Sequence, residues 1–137
     1  MSKFKLLLQS CGLSISEAAV FLNVREPSVK DWSSDRRTVP DGIIKLLLEL
    51  SDKQKNVAQK ALTEIEKIID KSGIPENLEL GLATDDHEAQ TLGWPCVGAH
   101  GAVLRRIIEM LPSKVAASVV IVPRGSTSST AAAIRPV

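Results

Sequence analysis

Between Gly12 and Trp32 the chain reads GLSISEAAVFLNVREPSVKDW, and no other stretch restricts the fold as tightly. Ser14 followed by Glu17 is the reciprocal helix-start pattern, in which the hydroxyl accepts one early amide while the carboxylate reaches back to another. A helix is expected from Ser14 to about Leu22, with Ala18, Ala19 and Leu22 on one face. The two alanines let a second helix approach closely. Asn23 stands where the chain must turn, and asparagine tolerates the left-handed conformation better than most residues other than glycine. Beyond it, Val24, Val29 and Trp32 are spaced to pack inward, leaving Glu26, Ser28, Lys30 and Asp31 toward solvent.

Two short helices joined by a tight turn make a helix-turn-helix, which presents its second helix to the major groove of DNA. The pattern resembles the phage Cro/repressor-like class, of the xenobiotic-response-element type, whose members read GLS…EA/LA…LGV…S.I..WE.G.R. The matching residues are Gly12, Leu13, Ser14, Glu17, Ala18, Ala19, Leu22, Val24, Ser28, Val29, Trp32 and Arg36. WSSDRRTVPDG continues the likeness and is similar to the W-x-x-G-x-R-x-V-P-D form of a subgroup that includes anti-CRISPR-associated autoregulators. Asn23 and Asp35 replace the usual glycines, and Pro27 takes an early position of the second helix where many relatives carry a polar base-reading side chain. Proline is tolerated in a first helical turn. The resemblance covers about residues 4 to 50 and implies a dimeric, autoregulatory repressor bound to double-stranded DNA at an inverted repeat.

The formal net charge of +1 lacks the strongly basic footprint of many DNA-binding proteins. Arg25, Lys30, Arg36 and Arg37 cluster, but Glu26, Asp31 and Asp35 are interleaved with them. Such a surface implies modest non-specific affinity, and hence a homodimer in which two reading heads share the work. In this reading Arg36 and Arg37 neutralise phosphates, as does the helix start around Ser14 and Ser16. Base edges fall to Arg25, Glu26, Ser28, Lys30 and Asp31, acidic groups accepting from cytosine N4 and basic ones donating to guanine. Ordinary solvated charge is the competing explanation for the four cations.

The rest of the chain supplies a scaffold. Phe4, Leu7 and Leu8 predict a first helix over Lys3 to Cys11, ended by Gly12. Beyond Pro40 a run of Ile and Leu to Leu50 predicts a deeply packed helix, and from Ser51 to Lys71 apolar residues every three or four positions predict a further amphipathic one. Ser72, Gly73 and Pro75 mark a boundary. Asn77 to Ala83 alternates as a strand, Asp85 to Glu88 reads as an acidic turn, and Val97 to Leu111 reads as a helix with Arg105, Arg106 and Glu109 in water. Val115 to Val122 reads as a second strand. The expected fold is therefore mainly α: a five-helix, repressor-like helix-turn-helix domain over 1–72, then a small α+β strand-helix-strand dimerisation region over 73–123. A disordered tail is expected over 124–137. A two-stranded sheet is barely stable alone, so it is expected to pair with its copy in a second chain.

Catalysis has no positive support. Asp85, Asp86, His87, Cys96 and His100 are metal-ligand types, but their spacing matches no familiar site, so a polar turn and a helix-embedded histidine are expected, with no metal and no cofactor. There is no phosphate loop, GxSxG or HExxH. Cys11 and Cys96 read as free buried thiols. Without a long apolar run or a signal core, a cytoplasmic protein off the membrane is expected. The alternative to a DNA-binding regulator is an antitoxin-like or phage adaptor protein whose C-terminal half binds another protein.

Overall fold

The computed structural model describes residues 1–126. Its architecture is mainly α-helical, with a small two-stranded β region after the helical core. Helix α1, Lys3–Cys11, is opened by Ser2, whose hydroxyl accepts the Lys5 amide, and it ends at Gly12 with φ 75°. The Gly12 and Leu13 amides donate back to the Gln9 and Leu8 carbonyls at 3.1 and 3.0 Å, the closure that a left-handed glycine permits. Helix α2, Ile15–Leu22, carries the predicted reciprocal cap: the Glu17 amide donates to Ser14 Oγ at 3.2 Å and the Ser14 amide to Glu17 Oε1 at 2.9 Å. Asn23 turns the chain at φ 55°, and helix α3 follows over Glu26–Ser33 with Pro27 in its first turn. Asp35 takes φ 62°, so both residues that stand in place of the expected glycines adopt the left-handed conformation.

One helix then replaces the two expected. Helix α4 runs unbroken over Asp41–Ser72, 32 residues, so the N-terminal half holds four helices instead of five. The change of composition at Ser51 alters the surface of the helix and not its backbone. Between Ile43 and Ser72 there is no glycine or proline to interrupt the i→i−4 ladder, and Gly73 ends it.

Beyond Gly73 come β1 (Leu78–Leu82), α5 (Asp86–Thr91), α6 (Val97–Met110), α7 (Ser113–Ala116), β2 (Val119–Pro123) and a 3-10 turn at Arg124–Ser126. Here several expectations are corrected. Asp85 to Glu88 starts a helix and is not a turn, because the Asp85 carboxylate accepts the Glu88 amide at 2.8 Å and caps α5. The second strand begins at Val119 and not Val115. The Pro112 carbonyl accepts the amides of Val115 and Ala116, which winds one helical turn, and only the β-branched run after Ser118 is extended. Arg106 does not face water: it is buried and donates to the Ala102 carbonyl at 3.1 Å and to Ser10 Oγ at 3.0 Å. Of the tail expected to be disordered, residues 124–126 form the 3-10 turn and the remainder lies outside the described residues.

The strands pair in parallel, Leu78 opposite Val119 through Leu82 opposite Pro123, a pairing that needs the long crossover formed by α5, α6 and α7. Leu78 and Leu80 of β1, Ala99, Val103 and Ile107 of α6, and Ala58, Ala61 and Ile65 of α4 belong to one buried cluster with Phe4, Leu8 and Trp32. Gln54 ties this core together. Fully buried on α4, its Nε2 donates to the Cys11 carbonyl at the end of α1 and to the Ala99 carbonyl in α6, both at 3.0 Å. Close by, the backbones of Gly12 and Gly98 touch, and a β-carbon on either would collide with the other's carbonyl oxygen.

Replacing Gln54 by Leu removes both donors and strands the Cys11 carbonyl in an apolar setting, so urea unfolding should show a loss of about 2 kcal/mol. A loss below about 0.5 kcal/mol, the range of ordinary surface substitutions, would mean that the bridge contributes nothing.

Candidate functional site

The outer side of α3 is open because its inner side is fully used. Val29 and Trp32 are buried, and the Trp32 ring stands edge-on to Phe4 of α1, with centroids 5.6 Å apart and planes at 72°. The Ser2 hydroxyl donates to the Ser33 carbonyl at 2.9 Å, which fixes the far end of the helix to the start of α1. From α2, Ala18, Ala19 and Leu22 are buried in the same core. Arg25, Glu26, Pro27 and Lys30 are left exposed, with Ser28 and Asp31 half-buried. Arg25 occupies the N-cap position without making a side-chain cap, so the helix start does not consume its guanidinium.

Arg36 and Arg37 converge on Asp31. Arg36 Nη1 lies 3.9 Å from Asp31 Oδ1 and Arg37 Nε 3.6 Å from Oδ2, while both arginine amides donate to the Asp31 carbonyl, at 2.9 and 3.4 Å. The Arg37 guanidinium also lies 5.9 Å from the centroid of the Trp32 ring. With side chains 78% and 54% exposed, such pairs contribute at most about 1 kcal/mol each, little enough for a phosphate to displace them. Asp31, expected among the base readers, thus holds its carboxylate against two cations.

Ser14 and Ser16 are exposed at the start of α2 with their hydroxyls 3.4 Å apart. The Glu17 carboxylate already accepts the Ser14 amide there, so an anion approaching this helix start meets a negative charge in place. The polar side chains therefore form two groups: Asp31 with Arg36 and Arg37, and Ser14 with Ser16 and Glu17. Arg25, Glu26, Ser28 and Lys30 are placed along α3, three of them exposed and Ser28 half-buried.

Asp85 and Asp86 hold the scaffold. Asp85 caps α5, and Asp86 Oδ1 accepts the Val97 amide at 3.0 Å at the start of α6. Cys11 and Cys96 are free and buried, and burial pushes both thiols above their usual pKa. Among the described residues no three His, Cys, Asp or Glu side chains gather where a metal could bind, and no single helix is long and apolar enough to cross a membrane. Sequence reasoning missed the pairing of Lys53 with Trp94. The Lys53 ammonium lies 4.5 Å from the centroid of the buried indole and donates to the Gly93 carbonyl at 2.6 Å, beside a cleft of about 490 Å³. Nothing in the sequence sets Lys53 apart from its neighbouring lysines. The chain matches no protein-family model, and no curated protein matches it with significance.

His100, fully buried in α6, accepts the Ala83 amide on Nδ1 at 3.0 Å. Burial, reinforced by the charge of Arg124 and opposed by Glu88, lowers its pKa to about 4. The unfolded chain, with an ordinary histidine near 6.5, binds the proton first, so stability should be full above pH 6.5 and fall as pH drops toward 4. The loss is on the order of 3 kcal/mol. Urea midpoints measured across that range should slope for the native chain and flatten at this step in His100→Gln. An unchanged slope in the variant would assign the acid sensitivity to other groups.

Proposed function

We propose that this protein is a sequence-specific DNA-binding regulator, a homodimeric transcriptional repressor in which α3 enters the major groove. One observation carries the reading. Val29 and Trp32 lock α3 onto α1 and α2 by its inner side, and Arg25, Glu26 and Lys30 are exposed along its outer side. That is the geometry a recognition helix needs, since the scaffold must fix the helix while its outward side chains stay free to meet base edges. The two short helices and their turn, with the left-handed Asn23 and Asp35, support the resemblance to the Cro/repressor-like helix-turn-helix class.

In this reading Arg25 and Lys30 donate to guanine and Glu26 accepts from cytosine, with Ser28 beside them. Arg36 and Arg37 leave Asp31 for phosphates on the flanking strand, and Ser14 and Ser16 donate their hydroxyls to the backbone. Because Glu17 opposes an anion at that helix start, the two arginines carry most of the phosphate term. Two such heads related by a two-fold axis match an inverted repeat with half-sites one helical turn, or a multiple of it, apart.

A gel-shift titration against the DNA upstream of the protein's own gene, at two salt concentrations and beside a scrambled duplex, tests the reading. The native protein should prefer the upstream duplex, and equal affinity for both would refute specific recognition. Arg36→Ala with Arg37→Ala should weaken both complexes and reduce the steepness of the salt dependence by about two units of log–log slope. Asp31→Asn, which releases both arginines from their carboxylate, should tighten binding to the scrambled duplex and narrow the preference.

A further inference from the structure

The outer strand of the two-stranded sheet exposes apolar side chains at its centre. β2 reads VVIVP; one edge pairs with β1, and Val120 and Ile121 are 40% and 46% exposed. Edge strands in monomeric proteins are usually blunted by charge, and parallel sheets are usually buried on both faces. This strand carries no charge at all. On the sheet face that carries Ile121, a cleft of about 240 Å³ runs between the strands and α6, lined by Leu82, Gly101, Leu104 and Ile108. Its walls are almost wholly apolar. Arg105 and Glu109, one helical turn apart, lie on the same wall and pair with each other at 3.7 Å, both side chains about half exposed.

We propose that this surface is the interface between two copies of the chain, joined edge to edge through β2. A two-fold contact must be complementary to itself, since each patch meets its own image. This one qualifies: an apolar strip meets an apolar strip, and Arg105 of one copy faces Glu109 of the other. A two-fold axis normal to the sheet near Ile121 sets the second β2 antiparallel to the first, giving a four-stranded sheet with both β1 strands outside. Ile121 of each copy then reaches toward the α6 cleft of its neighbour. The proposal specifies the contact that the homodimer of the DNA-binding reading requires, and it stands on observations separate from that reading.

Sedimentation equilibrium of the full chain without DNA, at about 50 μM, tests it. The native chain should have twice its monomer mass. Ile121→Lys, at an exposed site, should weaken association by about a hundredfold while leaving the far-ultraviolet spectrum and urea midpoint of the diluted monomer unchanged. Arg105→Glu alone and Glu109→Arg alone should each weaken it about tenfold, and an exchange of partners, one variant mixed in equal amount with the other, should restore it. Rescue by the exchange separates contact across the interface from the pair that Arg105 makes with Glu109 and the contact it makes with the Ser10 carbonyl inside the chain, since in the mixture only the contacts between copies are opposite in charge. A native monomer, a dimer indifferent to Ile121→Lys, or an exchange without rescue would each overturn the proposal. A dimer that shows no preference for the upstream duplex would keep the interface and remove the DNA reading. A monomer that still prefers that duplex would do the reverse.

Discussion

The carboxamide of Gln54 is the interaction on which the arrangement of this molecule depends. A helix that ends in the interior leaves carbonyls without partners, and α1 ends at Cys11, inside the protein. Gln54 supplies the missing donor and spends its second N–H on α6, so that one side chain joins three helices distant in sequence. A lysine could donate as well, but only by carrying an unpaired charge into an apolar core, and a leucine could donate nothing. Glutamine is neutral, long enough and has two donors.

Around that bridge the rest of the packing falls into place. α4 is the spine: packed against α1 and α6, it brings Leu47, Leu50, Ala58, Ala61 and Ile65 into one buried cluster with residues of the short helices and β1. α4 packs against α6, and the alanines buried on the two helices, Ala58 and Ala61 on one and Ala99 and Ala102 on the other, are what a close helix pair needs. Arg106 repeats the logic of Gln54 at a higher cost, since it carries a charge, placing its guanidinium on the Ser10 hydroxyl while burial draws its pKa below the usual value.

How much of this was legible in the sequence depended on the range of the forces involved. The capping pair Ser14 and Glu17, the stop at Gly12, the turn at Asn23 and the inward Val29 and Trp32 are settled within a few residues, and their spacing in the chain identifies them. The exposed residues of α3 could be named for the same reason. The continuity of α4 was hidden by the composition shift at Ser51, which concerns what the helix faces and not whether it continues. The β-branched side chain of Val115 points to a strand, whereas the preceding proline carbonyl and the alanines beside it favour a turn of helix. The clasp of Asp31 on Arg36 and Arg37 was out of reach, since it follows from the reversal of the chain at Asp35. Gln54 left a faint trace as a polar residue, beside Ser51, in the inward stripe of Leu47, Leu50, Ala58 and Ala61. What it bridged could be seen only once α6 was in place.

The touching backbones of Gly12 and Gly98 carry a consequence for the molecule as a whole. Two chain segments more than eighty residues apart meet with no side chain between them to act as a cushion, so the first helices and the sixth cannot tilt independently. A protein built in this way has no soft joint between the part that would face a nucleic acid and the part that would face a second copy. In the proposed dimer the separation of the two heads would then be a fixed length, stamped by the packing, and a duplex whose half-sites are a base pair too far apart would itself have to twist or bend to be held.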